Sequence, residues 1–91
     1  MHAVIYTKDN CPYCTKAKML MTNRGIAYDE KLVNPNGPDD RVLKENQSWS
    51  TREQLLEAAP TARTFPQIWL DDSYIGGCDA LENYLKGSHN K

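Results

Sequence analysis

The chain divides into short blocks in which the spacing of apolar residues changes. Ala3, Val4, Ile5 and Tyr6, closed by Thr7, make a β-rich run over residues 2–7 that reads as a buried strand. From Pro12 the period lengthens. Ala17, Leu20, Met21 and Arg24 fall at i, i+3, i+4 and i+7, and the first three form an apolar stripe that Lys16 and Lys18 avoid. This spacing predicts a helix over residues 12–24, stopped by Gly25. Ile26, Ala27, Tyr28, Leu32 and Val33 then read as a second strand over 26–33. A strand, a helix and a strand joined this tightly predict a right-handed βαβ unit with parallel strands.

Asn34-Pro35-Asn36-Gly37-Pro38 is a loop by composition. A short helix over Arg41–Asn46, capped by Asp39 or Asp40, is expected after it. Ser50 and Glu53 have capping-box spacing and predict a second short helix through Ala59, with Leu55, Leu56 and Ala59 turned inward and Pro60 ending it. Trp49 is then either a staple packed back onto that helix or an exposed aromatic. Gln67-Ile68-Trp69-Leu70 reads as a strand, Asp71-Asp72-Ser73 as a hairpin turn and Tyr74-Ile75 as the returning strand. The last helix is expected from Cys78 to about Lys86, with Leu81, Tyr84 and Leu85 inside and a frayed polar tail behind it.

The predicted fold is a single α/β domain over residues 1–91, a four-stranded mixed sheet with helices on both faces, in the thioredoxin-like arrangement. The expected strand order is second, first, third, fourth, with the third antiparallel to the first. Ninety-one residues support one modest core. A net charge of -1 with 25% charged and 40% apolar residues is ordinary for a globular chain and offers no nucleic-acid footprint. No apolar stretch approaches the length of a membrane span, and no secretory leader is visible. Three cysteines, Cys11, Cys14 and Cys78, do not pair evenly; this favours a reducing, cytoplasmic setting and a redox or metal role over a disulfide scaffold.

The chemistry concentrates at Cys11-Pro12-Tyr13-Cys14, between the first strand and the first helix. Pro12 suits the first helical position, which puts Cys11 at or near the N-cap and Cys14 in the first turn. Unpaired N–H groups and the positive end of the helix dipole favour a thiolate there, and Lys8 adds a cation, so Cys11 is expected to ionise more readily than free cysteine. Such a pair can close and open a small disulfide, Cys11 attacking and Cys14 resolving. The same spacing fits half of a structural zinc site. The remaining ligands would have to come from Cys78, His2 and His89, which are isolated, and there is no second C-x-x-C, so no metal is expected.

Lys8-x-x-Cys11-Pro12-Tyr13-Cys14, followed by Thr64-Phe65-Pro66 and Gly76-Gly77-Cys78-Asp79, resembles the dithiol glutaredoxins in content and order. The likeness spans most of the chain and is weakest over residues 34–60, where the chain is longer than the shortest bacterial members. The extended middle and the early stop are also similar to glutaredoxins encoded by large phages. The resemblance implies a glutathione-disulfide oxidoreductase. Cys11 would take a disulfide or a glutathione adduct, Cys14 would resolve it, and a cis Pro66 would aim the backbone of Phe65 at a bound peptide. It further implies that Lys8 and Arg63 meet the glycine carboxylate of glutathione, and that Tyr13 walls the site. The N–H groups of Gly77, Cys78 and Asp79 would meet the γ-glutamyl carboxylate, and Asp79 the ammonium. Partners implied are glutathione and disulfide-containing proteins such as ribonucleotide reductase, acting on a monomer.

Several residues keep a plainer reading. Thr64-Phe65-Pro66 by itself is a strand entry after a loop, and Asp79 alone is an N-cap. Cys78 is either a third reactive thiol or a small residue at a helix start, and a helix terminus would activate it only if exposed. Phe65 stands where family members often carry Val, so its ring is expected to narrow the groove. Two rival functions remain open: a redoxin reduced by thioredoxin reductase, which would not need the charged glutathione set, and a glutathione-ligated iron–sulfur module, against which Pro12 and Cys14 argue.

Overall fold

The computed structural model describes residues 1–87. The polar tail beyond them, with His89, lies outside the described residues. Five strands and three helices follow in the order β1 (His2–Thr7), α1 (Pro12–Asn23), β2 (Ala27–Val33), β3 (Gln47–Ser50), α2 (Arg52–Ala58), β4 (Gln67–Leu70), β5 (Ser73–Gly76) and α3 (Cys78–Gly87). The sheet order is β3-β2-β1-β4-β5. β1 runs parallel to β2, with Ile5 beside Glu30 and Thr7 beside Leu32. β4 returns antiparallel to β1, with Ile5 beside Ile68. The expected order of the four predicted strands is therefore the observed one.

The fifth strand is the correction. β3 adds to the edge of β2 in parallel, with Trp49 beside Leu32. Its four residues carry one large apolar side chain, too little for a period to register. Pairing with β2 supplies what periodicity lacks: Glu30 N–H donates to the Asn46 carbonyl at 2.8 Å, and Asn46 Nδ2 donates to the Tyr28 carbonyl at 3.0 Å. The helix expected over Arg41–Asn46 does not form. Asp39 is occupied by Arg41, accepting from its backbone N–H at 3.0 Å and from its guanidinium. That guanidinium also binds Asp9 in a fork, at 2.8 and 2.7 Å, and lies 5.2 Å from the centroid of Trp49. Trp49 is thus not fully exposed, but a half-buried strand residue under Arg41.

The cap of α2 moves by one residue. Thr51, not Ser50, is the N-cap, because Ser50 is held in β3. Thr51 Oγ1 accepts from Gln54 N–H at 3.0 Å, and Gln54 Oε1 accepts from Thr51 N–H at 3.0 Å, a reciprocal box. Leu55 and Ala59 are buried, whereas Leu56 is half-buried. In α1 the expected stop holds: Gly25 takes φ +71°, and Ile26 N–H closes onto the Met21 carbonyl at 2.9 Å.

α1 and α3 pack on one face of the sheet. Ala17 and Met21 of α1 and Cys78, Leu81 and Leu85 of α3 meet Ala3, Ile5, Ile68 and Leu70 from the strands in one buried cluster. Tyr84 is exposed, against expectation: the inward stripe of α3 starts at Cys78 and continues through Leu81 and Leu85, which turns Tyr84 out. Asp71 and Asp72, with φ of 47° and 70°, make the tight β4–β5 turn, and Ser73 belongs to the returning strand. His2 is not isolated; its Nε2 lies 2.9 Å from Asp29 Oδ2 on the neighbouring strand.

Candidate active site

The end of β1 delivers the reactive loop. After Thr7 the chain passes Lys8 and Asp9 and turns at Asn10, whose φ of 57° is one that Asn tolerates better than most residues. Cys11 caps α1 with extended backbone, and Pro12 enters the first helical turn. The Cys11 carbonyl accepts from the N–H groups of Cys14 and Thr15, at 3.1 and 3.2 Å. Its sulfur accepts from Cys14 N–H at 3.2 Å, so a backbone donor points at the very atom that must carry charge. Cys11 and Cys14 are joined as a disulfide with their Cα atoms 5.2 Å apart. Cys11 is half-buried and Cys14 is 3% exposed, which gives an outer and an inner sulfur.

Across from the pair, the Phe65–Pro66 peptide is cis. The Phe65 carbonyl oxygen lies 3.8 Å from Cys11 Sγ. Gln67 holds this turn: its Nε2 donates to the Thr64 carbonyl at 2.8 Å, while Tyr74 donates its hydroxyl proton to Gln67 Oε1. Lys8 Nζ stands 5.8 Å from the centroid of the Phe65 ring.

Two grooves flank the sulfurs. One, of about 460 Å³, is lined by Tyr13, Thr64, Phe65, Pro66, Gly77, Cys78 and Asp79, with Ala80. Seven residues chosen from three distant stretches of sequence thus meet in one place. Lys8 lines the other groove, of about 620 Å³, together with Cys11, Cys14, Lys18 and Glu30. Arg63 is exposed and lines neither. Asp79 is not the cap of α3: the helix starts at Cys78, which leaves Asp79 in its first turn. Cys78 is buried, so the exposure that would have activated it is missing, and burial pushes its thiol pKa up.

The second groove also holds Glu30 and Gln47, which no sequence motif marks. Glu30 is buried on the inward phase of β2, in line with Tyr28 and Leu32. It accepts from Thr7 Oγ1 at 2.7 Å, Lys18 Nζ at 3.1 Å and Gln47 Nε2 at 3.1 Å. Burial pushes its carboxyl pKa up, but these bonds and the Lys18 charge outweigh burial and leave it below the usual range. The available signal was an acid on an inward strand phase, with Lys18 one helical turn beyond Cys14.

A family model described as Glutaredoxin matches residues 3–75. The chain belongs to the glutaredoxin family. It is 42% identical over 83 residues to glutaredoxin 1 of Rickettsia bellii, covering 89% of this chain and 74% of that protein. It is 35% identical over 78 residues to glutaredoxin 1 of Rickettsia conorii, covering 86% of this chain and 66% of that protein. The crystal structure of glutaredoxin 1 from Francisella tularensis, complexed with cacodylate, superposes with a TM-score of 0.65 at 28% identity, over 99% of this chain and 98% of that one. The α/β, thioredoxin-like class follows from that likeness and from the mixed sheet. With Cys11 and Cys14 in its redox loop, this glutaredoxin is of the dithiol type, a thiol–disulfide oxidoreductase. No described helix is long and apolar enough to cross a membrane.

Proposed function

We propose that this glutaredoxin uses glutathione as its reductant and reduces both protein disulfides and glutathione mixed disulfides. The observation that carries the reading is the groove beside Cys11, where Tyr13, Thr64-Phe65-Pro66 and Gly77-Cys78-Asp79 converge. A peptide lying along the cis turn meets the backbone of Phe65 as an added strand would. The first turn of α3 offers backbone N–H groups to the γ-glutamyl carboxylate, and Asp79 faces the ammonium. Lys8 and Arg63 supply cations for the glycine carboxylate, Lys8 from above the Phe65 ring and Arg63 from the exposed loop before Thr64.

The chemistry is two displacements. The Cys11 thiolate attacks the glutathione sulfur of a mixed disulfide; an S–S bond forms to Cys11 and the substrate thiolate leaves. A second glutathione thiolate attacks that adduct, releasing glutathione disulfide and restoring Cys11. With a protein disulfide, Cys14 resolves the adduct and leaves the Cys11–Cys14 disulfide for glutathione to reduce. Ribonucleotide reductase is the protein substrate we favour, and the reading places the protein as a monomer in a reducing, cytoplasmic setting.

The test is steady-state turnover of a glutathione mixed disulfide with glutathione as donor, run beside thioredoxin reductase. The reading predicts turnover with glutathione and loss of it in Cys11→Ser. Full activity in Cys11→Ser, or reduction by thioredoxin reductase alone, overturns it.

A further inference from the structure

We propose that Lys18, held in place by Glu30, is the cation that governs ionisation of Cys14, the inner sulfur that closes and opens the disulfide. Cys14 and Lys18 are one turn apart on α1, so their side chains rise on the same face. Both line the groove that also contains Glu30 and Cys11. The Lys18 side chain is 27% exposed and that of Glu30 is 5% exposed, so the pair is only partly screened by water. A buried ion pair adds little net stability compared with apolar residues of the same volume. The acid of this one sits on the inward phase of β2, between Tyr28 and Leu32, and lines the same groove as the redox pair.

The step it serves is the exchange at Cys14. To close the ring, Cys14 must first lose its proton to solvent. Its thiolate then attacks Cys11 Sγ, the Cys14–Cys11 bond forms, and the bond from Cys11 to the substrate sulfur breaks. The electron pair leaves on the substrate thiolate, whose sulfur is reduced as that of Cys14 is oxidised, while Cys11 stays at the disulfide level. In the reverse step the Cys14 thiolate is the leaving group. An ammonium beside Cys14 stabilises the thiolate in both directions. Glu30 is a positioning residue: it acts through Lys18, and its own negative charge partly offsets that ammonium. Its depressed carboxyl pKa means that it carries this charge at neutral pH. The other polar and charged groups lining this groove are Lys8, Asp9 and Asn10 in the redox loop, Thr15 on α1, Gln47 on β3, and Arg41, with Thr7 of β1 bonded to Glu30 from behind. Arg41 is committed to Asp9 and Asp39. From the α3 side come Cys78, Asp79 and Glu82, the last 3.7 Å from Lys16.

The proposal rests on exchange between the two cysteines and not on glutathione, so the assay contains none. Reduced protein is mixed with excess dithiobis-nitrobenzoate in a stopped-flow instrument. The first release of nitrothiobenzoate is second-order and reports Cys11; the second is independent of reagent concentration and reports closure by Cys14. Lys18→Met is expected to move the pH midpoint of closure up by about one unit and to slow closure about tenfold at neutral pH. Lys18→Arg, which keeps the cation, is expected to hold the original midpoint. Glu30→Gln keeps an amide oxygen to hold Lys18 Nζ in place but removes the counter-charge, and is expected to move the midpoint down. A purely structural pair would lower the melting temperature without shifts of opposite sign. An unmoved midpoint in both Lys18→Met and Glu30→Gln, or shifts in the same direction in the two, overturns the proposal.

Discussion

Replacing Thr7 by Val tests the buried acid without removing it. The two side chains have nearly the same shape, and Thr7 is only 1% exposed, so the change deletes little more than a donor. The donor lost is the 2.7 Å hydroxyl bond to Glu30 Oε2. A hydrogen bond to a charged group contributes about 1.5–3 kcal/mol. Glu30 keeps Lys18 and Gln47, so the loss belongs at the low end, about 1.5–2 kcal/mol. At about 4–8 °C per kcal/mol for a domain of this size, the melting temperature should fall by roughly 6–16 °C. The effect also depends on pH. The folded state depresses the carboxyl of Glu30, so the stability it contributes is present above the unfolded value of about 4.3 and is lost as pH falls through the folded one. Thr7→Val weakens that depression, so the gap between wild type and variant is widest near neutral pH and narrows in acid. Urea unfolding of the oxidised proteins, followed by tryptophan fluorescence at pH 7 and in acid, measures both. A gap below about 0.5 kcal/mol at pH 7, or one that does not shrink in acid, would refute the reasoning.

Three further outcomes follow from other parts of the fold. Thr51→Ala removes the hydroxyl that accepts from Gln54 N–H, while the backbone half of the α2 box remains, and should cost about 1 kcal/mol in urea unfolding, whereas Ser50→Ala should cost less, since Ser50 is not the cap. Asp9 and Asp39 are held below the usual carboxylate range first by the hydrogen bonds from Arg41; carboxyl titration by NMR should show both returning toward ordinary values in Arg41→Gln and unchanged in Arg52→Gln. Iodoacetamide added to the reduced native protein should label Cys11 quickly and Cys78 only after unfolding, as peptide mass mapping would read, because Cys78 is 4% exposed.

What the sequence disclosed, and what it withheld, divides by range. The βαβ unit was legible because its signals are local: the β-rich run ending at Thr7, the stripe of Ala17, Leu20 and Met21, and Gly25 at the stop. The redox loop was legible for the same reason, since Pro12 fixes where the helix starts and hence where Cys11 sits. The second groove was not. Glu30 is separated from Lys18 by 12 residues and from Gln47 by 17, and only the pairing of β2 with β1 and β3 turns those separations into bonds. β3 carries no local signal, because its strand character comes from a neighbour and not from its own four residues. Asp39 read as a helix cap for want of any sign that Arg41 would span 32 residues to reach Asp9. Two apolar registers fit α3 in the sequence, and only burial of Cys78 selects the one that turns Tyr84 out.

The account depends most on the sulfur of Cys11 carrying its charge readily, because it caps α1 and receives the Cys14 N–H. The direct measurement is the rate of alkylation of Cys11 in the reduced protein against pH, with Cys14 and Cys78 replaced by Ser and Ala. The account predicts a midpoint well below the value of about 8.5 for free cysteine. A midpoint at that free value would contradict it.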